Sequence, residues 1–224
     1  MTPRLSIIVP TLNEAQAIAT TLDALADWRA QGAEVIVVDG GSSDTTRQLC
    51  QGWTDQVLAS PRGRARQMNA GAAQARSSAL LFLHADTLPP QGGLFAVERA
   101  LHGKAWGRFD VAITGASRLL PVVAGLMNLR SRLSGIATGD QAIFVTREVF
   151  EAVGGFPDQG LLEDVELSKR LRHLSPPACL RLRVITSGRR WERFGVWRTV
   201  ILMWRLRFLY WLGTPADELA RRYA

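Results

Sequence analysis

Lysine and cysteine are scarce in this chain, and long apolar runs are missing. The two cysteines, Cys50 and Cys179, lie far apart and without metal-ligand spacing. That excludes a disulfide framework or a cysteine zinc site and reads as free thiols in a reducing compartment. No stretch of about eighteen uncharged apolar residues occurs, so no transmembrane helix is expected. The opening residues, MTPRLSIIVP, run directly into a strand pattern and lack the apolar core and cleavage site of a signal peptide. The expected location is therefore cytoplasmic, or peripheral on the inner face of a membrane. The first strand is not followed by G-x-G-x-x-G, which argues against a dinucleotide oxidoreductase. No recognised nucleic-acid module is visible, and stacking aromatics do not cluster before residue 191, so no nucleic-acid partner is expected.

What is present is arginine. The formal net charge is +7, yet Lys104 and Lys169 are the only lysines. Guanidinium forks bind phosphate bidentately, so the excess suits phosphorylated ligands or anionic membrane surfaces. An ordinary solvated, arginine-rich surface explains it equally well. A hydrophobic fraction of 47% with 21% charged residues describes a globular chain with a substantial core, and 224 residues suit one domain.

Along the chain, short β-branched runs alternate with helical spacing. Strands are expected at Leu5 to Val9, stopped by Pro10, and at Glu34 to Val38, Gln56 to Ala59 and Ala79 to Leu83. Helices are expected from Asn13 to Trp28, after Ser42-Ser43-Asp44, and from Arg64 to Arg76. This alternation implies crossovers and a mostly parallel, doubly wound α/β sheet whose ligands collect beyond the strands' carboxyl ends. Asp39 and Asp86 each follow a strand, and Glu14 enters from the first strand-to-helix turn. The second half is more mixed, with strands at Trp106 to Thr114 and Ala142 to Val145. Its helices are expected at Arg118 to Leu133, Glu148 to Val153 and Leu162 to Leu174.

Four blocks, IIVPTLNEA, VVDGGSSD, the strand-terminal HAD and GLLEDVELSKRL, occur in the order and approximate spacing of family 2 glycosyltransferases, which the chain resembles from Leu5 to Leu174. The resemblance implies a GT-A fold: a Rossmann-like, mostly parallel sheet flanked by helices, a mixed acceptor-side half and C-terminal helices. It divides a single domain, 1–224, into a nucleotide-binding half (1–90), an acceptor half (91–190) and a helical, basic and aromatic segment (191–224). It implies inverting transfer from a UDP- or GDP-sugar to an acceptor left open, a lipid-linked one included, with manganese or magnesium as cofactor. Thr11, Asn13 and Glu14 would line the nucleotide pocket, with Asp39 and Gly40 at the base. Asp86 matches the metal-binding aspartate of a D-x-D element, and His84 stands where the family carries another aspartate, as a helper or ligand to the metal.

The segment RGRARQMNAGA resembles the family's Gly-rich stretch, with Asn69 and Gly71 matching and Met68 at the usual arginine position. Arg64 and Arg66 are therefore the candidates for the diphosphate. Glu163-Asp164 matches the acidic pair that supplies the base, Asp164 as base and Glu163 in support. Asp140 and Gln141 would frame the acceptor, and Arg190 and Trp191 would close over the site.

Near the end, Trp197, Trp204, Phe208 and Trp211 alternate with Arg198, Arg205 and Arg207. That mixture suits a membrane interface, or a helix packed on the domain or a partner subunit, a homodimer among the options. An inactive scaffold on the same fold and, further off, a nucleotidyltransferase are the alternatives to transfer.

Overall fold

The computed structural model describes residues 2–223. Four parallel strands form one half of an eight-stranded sheet: β1 (Leu5–Thr11), β2 (Ala33–Asp39), β3 (Gln56–Ala59) and β4 (Ala79–Phe82). The other half holds β5 (Thr87–Leu88), β6 (Trp106–Thr114), β7 (Ile143–Thr146) and β8 (Ala178–Ser187). The order across the sheet is β3-β2-β1-β4-β7-β6-β8-β5. Antiparallel pairing begins at the β4–β7 seam, so the mixed second half lies beside the parallel one.

Alternation along the strands sorts their side chains into two layers. Ile7, Val9, Val35, Val37 and Leu81 face a cluster that also takes Ile18, Leu22, Leu25 and Trp28 from α1 (Ile18–Ala30). Ile8, Ile36, Val38, Leu80 and Phe82 face the opposite cluster, covered by α3 (Arg64–Gln74) through Ala65, Met68 and Ala72. Each such aliphatic side chain, buried on both faces of the sheet, stabilises the fold by about 1.5–3 kcal/mol. α3 approaches so closely that a Cβ at Gly71 would stand 2.5 Å from Ile8 Cγ2 and 2.9 Å from Val38 Cγ2.

Two boundaries differ from expectation. β1 continues through Pro10 to Thr11, because β4 pairs only as far as Ile8↔Phe82 and the missing N–H falls on the side it has left. α1 begins at Ile18, since Asn13 takes φ 55° in a turn. The helix after Ser42-Ser43-Asp44 is the short α2 (Thr46–Cys50). α4 (Gly93–Leu101), β5 and β8 were not expected; β8 carries Arg181 and Arg183 on exposed positions and has no clean apolar alternation.

α5 (Leu120–Ser134), α6 (Arg147–Ala152) and α7 (Glu163–Leu174) follow the expected positions within a few residues. The aromatic segment is two helices, α8 (Arg189–Phe194) and α9 (Val196–Trp211), and α10 (Ala216–Tyr223) follows. Leu206 of α9 and Leu219 of α10 dock on Leu161, Leu162 and Val165, which ties the C-terminal helices to the start of α7. No helix among the described residues is long and apolar enough to cross a membrane.

Candidate active site

A cavity of about 1210 Å³ opens beyond the carboxyl ends of β1 and β4, where an open α/β sheet holds its ligands. Thr11 and Glu14 reach it from the end of β1, and His84 and Asp86 from the end of β4. Arg62 and Arg64 enter from the start of α3, Asp140 from the single 3-10 turn Gly139–Gln141, and Asp164 from the first turn of α7. Arg189, Arg190 and Trp191 of α8 close one side.

Behind this lining lies a layer of carboxylates and amides that are satisfied by their own loops. Asp39 is almost fully buried and accepts the N–H groups of Gly41 and Ser42, each at 3.0 Å, and the Ser42 hydroxyl. Asn13 Oδ1 accepts from Ser43 N at 2.8 Å, while the Asn13 backbone N donates to Ser42 Oγ at 2.9 Å. Glu14 N donates to Thr46 Oγ1 at 2.9 Å. The turn after β1 is thereby fastened to the turn after β2.

Gln67, which sequence reasoning missed, completes the fastening. Its buried amide donates to the carbonyls of Thr11 and Val38, both at 2.8 Å, and packs where a Cβ on Gly40 would stand 3.0 Å away. The only hint of it was its place inside RGRARQMNAGA.

Charge is concentrated at two points. Arg189 Nη2 sits 2.9 Å from Glu14 Oε2 and 3.2 Å from Asp86 Oδ2, so one guanidinium bridges the two carboxylates. The neighbouring Arg190, expected to close over the site, lines the same cavity; the sequence offered no way to rank the two. Across the cavity, His84 Nδ1 lies 3.4 Å from Asp140 Oδ1. Burial works against the charged imidazole, but the Asp140 hydrogen bond and charge prevail and hold its pKa above the ordinary value. Burial likewise pushes the Asp140 carboxyl up, and the same contact with His84 outweighs it and holds it down. Each partner thus favours the charged form of the other.

Asp164 accepts the backbone N–H groups of Gly139 and Val165, both at 2.7 Å, which aims the carboxylate across the cavity beside Asp140. Glu163 turns inward: Arg64 Nε is 3.1 Å from its Oε1, and burial, countered by Arg64, raises its pKa. Leu162, which precedes this pair, is held at φ 62°, and Ala142, which follows the Asp140 turn, at φ 48°. Such left-handed conformations are costly for residues with a Cβ and gather where the surrounding structure enforces a functional geometry.

Besides Asn13, Asp39, Gly40 and Glu163, which stand behind the lining, three more expected residues are not part of it. Arg66 turns away and pairs with Asp158 at 2.8 Å, leaving Arg62 and Arg64 as the arginines of that segment in the cavity. Asn69 clamps the chain at Phe156, donating to its carbonyl at 2.8 Å and accepting its N–H at 3.0 Å. Gln141 is fully buried in a capping box with Thr138.

Among the described residues no group of three or more His, Cys, Asp or Glu is gathered as a metal cage. His84 is a poor ligand in this geometry, with Nδ1 engaged by Asp140 and its Nε2 only 2.4 Å from where a Cβ on Gly139 would stand. Asp86 fits better: a hard divalent cation is commonly held by one or two carboxylates with substrate phosphates and water completing the shell. The Asp86 and Glu14 carboxylates already hold a cationic group between them, the Arg189 guanidinium.

Residues 6–111 match the family described as Glycosyl transferase family 2. The probable glycosyltransferase YdaM of Bacillus subtilis (strain 168) is 27% identical over 234 aligned positions, which span 92% of this chain and 54% of YdaM. The chain thus spans about half the length of that curated relative. Among solved structures, S. aureus TarS 1-349 in complex with UDP-GlcNAc has a TM-score of 0.66 at 19% identity, over 82% of this chain and 58% of that one. The mannosyltransferase PcManGT of Pyrobaculum calidifontis, with GDP-Man and manganese, has a TM-score of 0.62 at 21% identity, over 83% of this chain and 57% of that one. The fold is the one these glycosyltransferases share, an α/β sheet flanked by helices, and residues 6–111 of the chain are similar to glycosyl transferase family 2.

Proposed function

We propose that this chain transfers a sugar from a UDP- or GDP-sugar to an acceptor hydroxyl by a single inverting displacement. The observation that carries the reading is the convergence of Thr11, Glu14, Arg64, Asp86 and Asp164 on one cavity at the carboxyl ends of the strands. The relatives' names and the nucleotides bound to TarS and PcManGT support a nucleotide-sugar donor.

In this reading the nucleotide lies over the β1 and β2 ends, where Thr11, Asn13, Asp39 and Gly40 form a pre-organised floor and Gln67 keeps the two ends in register. Arg62 and Arg64 stand at the start of α3, where fixed charge and the helix dipole both favour the diphosphate. A divalent metal held by Asp86, manganese as in PcManGT or magnesium, would supply a Lewis acid that neutralises the departing diphosphate. Arg189, which holds Asp86 and Glu14, would yield Asp86 to such a cation and could then serve the phosphates, with Arg190 and Trp191 lining the same side. Asp164 takes the proton of the acceptor hydroxyl as that oxygen attacks the anomeric carbon and the bond to the diphosphate breaks. Its two backbone hydrogen bonds fix its aim. Glu163 holds Arg64, and Asp140, steadied by His84, binds an acceptor or sugar hydroxyl.

The whole chain, 1–224, would act as one domain, working in the cytoplasm or against the inner membrane face, with the exposed aromatics of α9 touching lipid or a second copy. The test is to incubate the protein with manganese and UDP- or GDP-sugars and follow nucleotide release and product anomer by NMR. Release from one donor, with inversion and loss in Asp164→Asn, is expected. Retention of configuration, or undiminished release in that variant, would contradict the assignment of Asp164.

A further inference from the structure

The outer half of the cavity differs in chemistry from the floor. Its walls are α5 and α9, and each contributes one arginine to the lining, Arg130 and Arg207. Neither takes part in an ion pair within 4 Å, and Arg130 Nε and Nη2 and Arg207 Nε are buried with no hydrogen-bond partner among the described residues. Arg108 also has a buried Nε without a partner, but its charge is met: its Nη1 is paired with Asp110 and its Nη2 donates to the Asn128 carbonyl at 3.2 Å. Asp164 and Asp140 are near enough to be felt by both cavity arginines, yet they spend their own contacts on Gly139, Val165 and His84. Burial, joined by the charge of Arg207, pulls the Arg130 pKa down to about 10, and burial lowers that of Arg207 as well. Two largely desolvated cations that line one space and keep N–H groups no described residue accepts suit the binding of an anion there. Guanidinium forks match a phosphate best.

The rest of these two walls is apolar. Leu126, Leu129 and Leu133 of α5 and Val200, Met203 and Trp204 of α9 line the same space. The apolar surface then runs out of the cavity: Leu133 is 81% exposed, and Trp197, Ile201, Trp204 and Trp211 of α9 are each at least 65% exposed. A free sugar acceptor or a small phosphorylated metabolite has no use for such a wall. A hydrocarbon chain does, and the exposed Arg198 and Arg205 between these rings suit the headgroup region of a bilayer.

We propose that Arg130 and Arg207 bind a phosphomonoester group of a lipid acceptor whose hydrocarbon lies between α5 and α9, so that the cavity is loaded from a membrane surface. The phosphate is seated beside Asp164 and Asp140, which leaves a hydroxyl on the same headgroup within reach of the base. Calling this lipid the acceptor rests on the transferase reading; the binding site itself does not.

The test uses the full chain and two measurements on the same samples. Vesicles of phosphatidylcholine containing phosphatidic acid are compared with vesicles containing phosphatidylserine, adjusted to equal surface charge, in a flotation titration. UDP and GDP binding is measured in parallel. At least tenfold tighter binding to phosphatidic acid is expected, falling about tenfold in R130Q and R207Q while nucleotide binding stays. R198Q/R205Q, which removes exposed charge, should weaken binding to both vesicles alike and keep the preference.

Equal binding to the two vesicles, or a preference that survives in R130Q/R207Q, would overturn the proposal. So would inorganic phosphate binding that is as tight as binding to the vesicles, which would make the site one for a small phosphorylated acceptor. Loss of nucleotide binding in R130Q/R207Q, with the fold retained by circular dichroism, would assign the arginines to the donor instead. A dimer that is broken by Leu133→Ser or Trp204→Ser, with no vesicle binding, would show that a second copy covers this face. If R130Q and R207Q do not fold, the wild-type comparison of the two lipids and inorganic phosphate decides alone. Lipid preference without nucleotide binding would sink the transferase reading and leave this site standing.

Discussion

The floor and the outer walls of the cavity are built by opposite rules. On the floor, the Asp39 carboxylate, the Asn13 side-chain oxygen and the Gln67 amide N–H groups are engaged by neighbouring loops, and α1 and α3 cover both faces of the sheet beneath them. On the outer walls, Arg130 and Arg207 have buried N–H groups left over, and large aromatics of α9 face solvent. A surface that satisfies itself is rigid and ready for one small ligand. A surface with polar and apolar valences left open is completed by what it binds. In the proposed function, the difference separates a pre-organised nucleotide site from an acceptor site that needs its substrate.

The comparison breaks most visibly in turnover. Asp164 lies where floor and walls meet, and Asp164→Asn should cut the transfer rate by about 10²–10⁴-fold, the usual worth of a positioned base. Donor affinity should change little. A rate within a factor of a few of wild type would remove Asp164 from the chemistry.

Stability should show the same contrast with a smaller effect. Gln67→Ala removes two buried hydrogen bonds, although the Thr11 carbonyl keeps Gly40 N–H at 2.9 Å and the Val38 carbonyl keeps Thr11 Oγ1 at 3.4 Å, and should cost about 1–3 kcal/mol in urea unfolding. Trp204→Ser, at 72% exposure on the outer wall, should stay within about 0.5 kcal/mol. If the two variants cost alike, the walls are packed as tightly as the floor and the distinction fails.

Arg189 links the two regions. Its charge sits on Glu14 and Asp86, the position assigned to the cation, and so competes with it. Arg189→Gln should bind manganese several-fold more tightly than wild type in the absence of nucleotide. Weaker binding would mean that Arg189 organises the site and does not hold it for the metal.

The smallest effect lies at the far end of the floor. Glu34 is buried at the start of β2; burial raises its pKa, but hydrogen bonds from Ser6 and Arg76 more than offset this and hold it below the ordinary value. A carboxylate so depressed contributes stability that is full above its unfolded pKa and is lost as pH falls through the folded one. Wild type should therefore lose stability relative to Glu34→Gln on acidification below about pH 4.5, the ordinary value, and the two curves should run parallel at neutral pH. An unchanged difference down to pH 3 would contradict the contact.

Most of the floor was legible in the sequence, because a strand buried on both faces must be written in β-branched runs, and LSIIV and EVIVV are such runs. The order of Asp39, Asp86 and Asp164 along the chain also placed them at the correct ends of their elements. What stayed hidden depended on contacts between distant segments. Arg66 and Arg64 are equivalent on paper, and only the path of the loop carrying Asp158 decides that Arg66 turns outward. Arg189 and Arg190 are adjacent, and helix geometry selects the one that reaches Asp86. Asn69 matched a family position but serves as a clamp on Phe156, a role set by a segment 87 residues away. β8 escaped because it lies between β6 and the two-residue β5, with much of its surface open to solvent, and its arginines mask the alternation.

The central claim is a metal-dependent nucleotide site on the floor, and isothermal titration of UDP and GDP with and without manganese tests it most directly. The account predicts that one nucleotide binds, that manganese strengthens the binding, and that Asp39→Ala and Asp86→Ala each abolish it. Failure of both nucleotides to bind with manganese present would contradict the account and leave a family 2 fold that serves as a scaffold.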